Sequence, residues 1–338
     1  MVQVEVREIP TSEFPAWDEL VATSPQGTVF HTSDWLIRTA TSLNQTLRIL
    51  GCYDGDTLIG GCPLLVSNPY RLLKMAISAT LLAPYGGVVI TGIESTKQRE
   101  RELHADRVVT AIHEHILRER YGHVNLVNSP GLEDIRCFTR KGWEAKIYYT
   151  YVLPANVDVF ERISKNARRS VRKAQKLGIT AVEHFDARTY WSLIEDTFTK
   201  QNSHPPFSKE HLMNMMDIIR KKNLGEMWVA KTASDEIIAA EIIVCDAKTA
   251  HRWSAASVGE HLNTGAASLL LSETATHFAE LNCPNINLMA GNRAHLSAFI
   301  ASFNPDLVPY YGVERCGVRY HIMRRIKGVA EGVTSRTM

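Results

Sequence analysis

One order of elements occurs twice along the 338 residues, and that repeat constrains the fold more than any other feature of the chain. Residues 47–53 read as a strand, Asp54-Gly55-Asp56 as a turn, and residues 58–66 as the returning strand. Asp-Gly between two apolar runs signals a hairpin, because glycine accepts the backbone a tight turn needs. Residues 227–231, Ser234-Asp235-Glu236 and residues 237–244 repeat the pattern. The returning strands open alike, Leu58-Ile59-Gly60-Gly61 against Ile237-Ile238-Ala239-Ala240. Those paired small residues predict a bulge, or a close backbone approach, at the same place in both halves.

A second unit recurs further on. Residues 125–128 read as a strand leading to a helix through Cys137 and Phe138, which Lys141-Gly142-Trp143 ends before a strand opens at Tyr148-Tyr149. Residues 287–290, a helix through Phe299 and Phe303, and a last strand from Tyr310-Tyr311 follow the same order. Between hairpin and final strands each half holds one long amphipathic helix. Residues 97–120 turn Val108, Val109, Ile112, Ile116 and Leu117 inward, and residues 266–281 turn Leu269, Leu270, Ala275 and Phe278 inward. Such alternation predicts an α/β protein of two tandem domains with mixed sheets. The expected bounds are 1–153 and 154–314, with a linker near residues 153–158, where Pro154 follows a strand, and a C-terminal segment 315–338.

A net charge of +2 does not single out nucleic acid or membrane as a partner by bulk electrostatics, so any basic site must be local. No run reaches the ~20 apolar residues of a membrane span, and residues 1–10 lack the apolar core of a signal peptide. Cys52, Cys62, Cys137, Cys245, Cys283 and Cys316 form no C-x-x-C pair and sit among apolar or small residues. They read as buried free thiols in a reducing compartment, and the expected location is cytoplasmic. His113-Glu114-His115 places two imidazoles on different sides of a helix, so no metal is expected. No G-x-S-x-G, Walker or G-x-G-x-x-G motif is present, and no permanently bound cofactor is expected.

Two stretches carry local chemistry. Residues 159–177 predict one helix with Phe160, Ile163, Ala167, Val171 and Ala174 on one face. Lys165, Arg168, Arg169, Arg172, Lys173 and Lys176 fall on the other, and Gly178 suits its end. Six cations without an acid fit phosphates of tRNA, a nucleotide-sugar or lipid headgroups; a solvated face favoured by the helix dipole fits equally. Residues 261–266 join a strand to a helix, and Asn263, Thr264, Gly265 and Ala266 there could bring an anionic carrier to the first helix amides. The same residues also suit a plain turn with Asn263 or Thr264 as helix cap. Tyr85, Arg252 and Asn292 stand in or beside strands as orienting groups, and His204, in the Pro-containing loop 201–207, is a candidate general base or substrate contact where an exposed loop histidine is the plainer reading.

Phe30, Ser33 and Trp35; Pro84-Tyr85-Gly86-Gly87; Arg168-Arg169 through Lys173-Ala174 to Gly178; Asn263-x-Gly265-Ala266; and Leu288-Met289-Ala290-Gly291 with Phe299, Phe303 and Pro309-Tyr310-Tyr311 occur in a characteristic order over about 300 residues. In that order the chain resembles the FemAB-like proteins of the GNAT superfamily, relatives of the Fem peptidyltransferases of peptidoglycan cross-bridge synthesis. The resemblance implies two GNAT-like domains with a cleft between them, and a C-terminal segment that returns to the first. It implies transfer of an acyl or aminoacyl group to an amine of a small molecule, peptide or cell-envelope precursor. The donor carrier would be acyl-CoA, an acyl carrier protein or aminoacyl-tRNA, and the acceptor could bear phosphate. Residues 263–266 would then hold the donor, and Arg38 and Lys209 stand near the family's acceptor-binding positions. Ile300 occupies the place where Fem-type enzymes commonly carry lysine, so the resemblance does not single out aminoacyl-tRNA. The competing reading is a non-catalytic GNAT-fold module that binds nucleic acid or an anionic surface through residues 165–176.

Overall fold

The computed structural model describes residues 4–68, 73–93, 95–154, 158–200, 204–205, 207–317 and 320. The chain forms two compact units, Met1–Ile147 with Tyr310–Met338, and Tyr148–Pro309.

The first unit begins with β1 (Glu5–Glu8), α1 (Phe14–Thr23), α2 (Ser33–Ser42), β2 (Thr46–Asp54) and β3 (Thr57–Ser67). It continues with β4 (Met75–Ile77), β5 (Val89–Ile90), α3 (Gln98–Arg118), β6 (His123–Val127) and α4 (Arg136–Thr139). Its sheet runs β1-β2-β3-β4-β6, antiparallel except for the parallel pair β4–β6, with β5 also on β3. Val108, Val109, Ile112 and Ile116 of α3 bury against Leu50, Leu64, Val124 and Leu126. Trp17, Leu20 and Leu36 of α1 and α2 pack with Ile49 and Val89 in a separate cluster. A sheet with apolar residues on both sides needs helices on both, and the two clusters supply them.

The chain then enters β7 (Glu144–Pro154), α5 (Val159–Arg162), α6 (Lys165–Lys176), β8 (Thr180–Glu183), α7 (Ala187–Lys200) and α8 (Lys209–Lys221). After these come β9 (Gly225–Lys231), β10 (Ile237–Cys245), β11 (Thr249–Ser257), α9 (Ala266–Glu280), β12 (Asn285–Met289), α10 (Ala294–Ala301) and β13 (Asp306–Cys316). In the second unit the sheet order is β7-β12-β11-β10-β9-β8, antiparallel apart from β11–β12. Val159, Ala167, Val171 and Ala174 join Leu269, Leu270, Phe278, Ile300 and Phe303 over the strand residues Ala239, Ile243, Ile286 and Leu288.

Both hairpins carry the bulge at the place the sequence repeat indicates. Cys52 pairs with Gly60 and Tyr53 with Leu58, leaving Ile59 extra. Lys231 pairs with Ile237 and Ala230 with Ala239, leaving Ile238 extra. The glycines also serve a close approach, since a Cβ on Gly61 would stand 2.4 Å from the Leu50 carbonyl oxygen.

Two features differ from the sequence reading. Residues 159–177 are not one helix: Ile163 is extended, and Ser164 caps a new helix by accepting from the Ala167 amide at 3.2 Å. A serine that bonds the backbone three residues on stops one helix and starts the next, which apolar periodicity alone does not reveal. The last strand of each repeat also changes units. β7 pairs with β12 through residues 151–154, while β13 pairs with β6 through residues 312–316. Of the segment 315–338, Gly317 donates its amide to the Gly122 carbonyl and the Tyr320 ring stacks on His123. Residues 318–319 and 321–338 lie outside the described residues, as do 201–203 and 206 of the loop that holds His204.

Candidate active site

The second unit has a split in its sheet. β11 and β12 are parallel neighbours for only three residues, Thr249–His251 against Asn285–Asn287. Beyond that point each strand bulges. On β11 the register passes from Arg252–Ile243 to Ser254–Ile242, so Trp253 is the extra residue. On β12 it passes from Asn287–Val152 to Met289–Tyr151, so Leu288 is extra against β7. Bulges bend and twist a strand, and here they accompany the end of pairing.

Side chains fix the β12 bend. Thr150 donates to the Asn287 Oδ1 at 2.7 Å, and the Met289 amide donates to the same oxygen at 2.9 Å. Met289 and Ala290 have φ of 57° and 60°, a left-handed pair that turns the chain sharply onto β7. Asn292 completes the turn, accepting from the Tyr149 amide at 2.9 Å and donating to the Tyr149 carbonyl at 3.1 Å.

The split leaves backbone groups of β11 without a strand partner. The Val258 amide bonds the Ile238 carbonyl, and antiparallel bonding alternates, so residues 254 and 256 also face β10. Ala255 therefore turns its own N–H and C=O toward the side β12 has left, and its side chain is exposed. An extended chain carrying amides could lie along β11 there as a strand would.

A buried polar cluster braces the same stretch of β11. The Arg252 Nε donates to Glu241 at 2.7 Å, Glu241 is 0% exposed, and Thr274 of α9 donates to its other oxygen. Among the described residues no acceptor meets the terminal nitrogens of Arg252. Tyr190 of α7 donates to the Ser254 Oγ at 2.7 Å, and burial pushes its phenol up, so it stays protonated as donor.

Past β11 the chain makes a 3-10 turn over Gly259–Thr264 and enters α9 through Gly265. Gly265 has φ +86°, and a Cβ there would stand 2.1 Å from the Ser170 carbonyl oxygen of α6. Lys173 of α6 donates to the Asn263 carbonyl at 2.6 Å. Thr264 accepts from the Ala266 amide at 3.3 Å, while the Gly265 cap supplies no side chain to the amides that follow. The first amides of a helix have no intrahelical acceptor and carry partial positive charge.

The sequence-derived site residues thus fall into separate settings. Asn263 meets Lys173 through its carbonyl, Thr264, Gly265 and Ala266 follow it into α9, and Arg169, Arg172 and Lys173 share one exposed face of α6. Arg168 turns back to the Glu161 carbonyl at 3.1 Å. Lys209 begins α8 and is exposed, as is His204. Tyr85 and Arg38 belong to the first unit. Tyr85 is 1% exposed and meets Phe30 and Tyr310 edge to face, with ring centroids at 5.9 and 5.2 Å. Arg38 is half-buried on α2. Ile300 is 0% exposed in the apolar core of the second unit.

Cofactor-like clusters are few among the described residues. His123, Glu314 and Cys316 of the first unit offer donor atoms within 4.8 Å of one another. Glu314 already pairs with His123 at 2.6 Å and with the Lys146 ammonium, which meets its negative charge without a metal. His113 accepts from the Trp143 indole at 3.0 Å, a packing role. Among the described residues no helix is long and apolar enough to cross a membrane.

Residues 161–295 match the acetyltransferase (GNAT) domain family, a span that includes α6, the split strands and α9. The chain shares its fold with FemX and with a tandem GNAT protein. The crystal structure of FemX superposes on 91% of this chain and 96% of its own, with TM-score 0.70 at 12% identity. L-PGS from Bacillus licheniformis covers 91% and 93%, with TM-score 0.59 at 10% identity. A tandem GNAT protein from the clavulanic acid biosynthesis pathway covers 92% and 98%, with TM-score 0.54 at 10% identity. No curated protein matches this chain in sequence.

Three features of the second unit escaped the sequence reading. Trp253 as a bulge has no local signature, because a bulge is a property of two strands in register. Glu241 within an apolar run, Ile-Ile-Ala-Ala-Glu-Ile-Ile, was a visible signal of a buried paired charge. Ala255 is an ordinary alanine whose exposed backbone arises only from where β12 stops.

Proposed function

We propose that the second unit binds an activated acyl carrier along the free side of β11 and transfers its acyl group to an amine. The observation that carries this reading is the split between β11 and β12, which leaves the Ala255 N–H and C=O open on the strand that leads through residues 259–264 into α9. An extended carrier arm with amide groups pairs with Ala255, and its anionic end meets the first amides of α9 after residues 263–266. GNAT domains use acyl-CoA as co-substrate, and this carrier chemistry fits the split better than a bulky nucleic acid does. The fold is shared with FemX and L-PGS, so an aminoacyl donor is the second carrier to test.

Transfer requires the amine to attack the acyl carbonyl, the oxyanion to be stabilised, and the acyl–carrier bond to break so that the carrier leaves with the proton the amine gives up. Arg252 is the first β11 residue beyond the last β11–β12 pair, and Glu241 with Thr274 holds its Nε side. We assign its free terminal nitrogens to orienting the acyl carbonyl and Asn292 to holding the β12 turn open. The acceptor is an amine on a small molecule, peptide or envelope precursor.

Calorimetric titration with acetyl-CoA, coenzyme A and charged tRNA tests the reading. One of them should bind saturably to the wild-type chain. Ala255→Pro deletes an N–H that makes no bond to β10, so the variant should stay folded and lose at least tenfold in donor affinity. Equal affinity in the variant would place the donor elsewhere.

A further inference from the structure

α6 has a face that the acyl-transfer reading does not use. Lys165, Arg169, Arg172, Lys173 and Lys176 follow one another at spacings of four, three, one and three residues, which gathers them on one side of the helix. The opposite side, Ala167, Val171 and Ala174, is buried in the core. All five cations are exposed, and among the described residues none of Lys165, Arg169, Arg172 and Lys176 has a carboxylate partner. The nearby Glu161 is taken by Arg168. Arg169, Arg172, Lys173, Lys176 and Leu177 line an open depression of about 380 Å³.

Apolar side chains border this charge. Leu177, at the end of α6, is 53% exposed. Leu262 is 67% exposed and precedes Asn263, whose carbonyl Lys173 holds, so it stands beside the same face. Neither leucine belongs to the core, and exposing both costs hydration that a purely solvated basic face would not incur.

We propose that this face docks on an anionic lipid surface, with lipid phosphates among the cations and Leu177 and Leu262 entering the acyl boundary. Charge complementarity selects an anionic occupant, and the two exposed leucines select a bilayer over a nucleic acid. A strand of bases needs aromatic platforms. Among the described residues the ring that meets these cations, Phe160, is half-buried and covered by Arg172, whose guanidinium stands 5.5 Å from its centroid. An amphipathic element with cations and a few leucines is the usual composition for lying on a membrane. The inference stands apart from acyl transfer, since Ala255 takes no part in it.

Co-sedimentation of the full chain with vesicles tests the proposal. Vesicles of phosphatidylcholine containing phosphatidylglycerol should bring the protein down, and phosphatidylcholine alone should not. Binding should weaken as salt rises. Arg169→Gln, Arg172→Gln and Lys176→Gln combined should weaken it on the order of a hundredfold, at roughly fivefold per cation. Lys173 is left intact because it holds Asn263. Leu177→Ser with Leu262→Ser should weaken binding several-fold while leaving the salt dependence in place. Circular dichroism and thermal unfolding should match wild type for both variants, because every substituted side chain is exposed. Absence of vesicle binding, or vesicle binding that the triple variant retains, would overturn the proposal. Saturable binding of uncharged tRNA without vesicle binding would overturn it in favour of a nucleic-acid face. Donor titration of the same variants separates this outcome from failure of the acyl-transfer reading.

Discussion

Single residues in this chain do their work by backbone proximity as much as by side-chain chemistry. The sequence reading takes Gly265 as a residue that brings a ligand near a helix start; what the structure shows is that the Ser170 carbonyl occupies the space a Cβ would need. Gly265→Ala should therefore destabilise the second unit by at least ~1–3 kcal/mol from left-handed strain alone, measured by urea unfolding. A variant as stable as wild type would mean that α6 and the turn are not held this closely. The small pairs Gly60-Gly61 and Ala239-Ala240 were legible because the repeat displayed them twice. Arg252 was legible as a charged residue in a strand, but its partners were not. Glu241 and Thr274 are 11 residues before it and 22 residues after it in sequence, and only the packing of α9 on β10 joins them.

Elements were legible where periodicity and turns agreed. Both hairpins, α3, α9 and the short α4 lie where the sequence places them, since each has a repeated apolar face or a glycine stop such as Gly142 at φ +79°. The division of residues 159–177 was missed because Ser164 interrupts the helix without interrupting its apolar pattern. At this scale α3 is tied to the sheet by charge. Glu119, just past its end, meets Arg48 of β2 at 2.9 Å and also pairs with Lys74. Hydrogen bonds from Lys74 and then Arg48 hold the Glu119 carboxyl at about 2. A carboxyl held below its ordinary range stabilises the fold above that range and stops doing so as pH falls toward its folded value. Glu119→Gln should cost about 1 kcal/mol at neutral pH after solvent screening, and the difference from wild type should shrink between pH 5 and pH 2. Unfolding curves at both ends of that window check it; a difference independent of pH would assign the loss to packing.

The whole molecule was legible as two copies of one unit, and less so as two units that trade their last strands. Nothing local marks β7 or β13 as completing a different sheet, because strand sequence reports burial and not the identity of the neighbour. A chain ending at residue 305 lacks β13 and leaves the pairing side of β6 open, including His123, whose partner is Glu314. Limited proteolysis should then cut the first unit at β4 and β6 while those strands stay protected in the full chain. Equal protection would mean that β13 is dispensable to the first sheet. The exchange also sets a schedule for synthesis. His123 and Glu314 are 191 residues apart, so a ribosome adding about 5–20 residues per second leaves β6 without its neighbour for roughly ten to forty seconds. For that interval an apolar strand edge of an otherwise assembled unit faces other nascent chains, and the yield of native protein in a crowded cell depends on what covers it meanwhile.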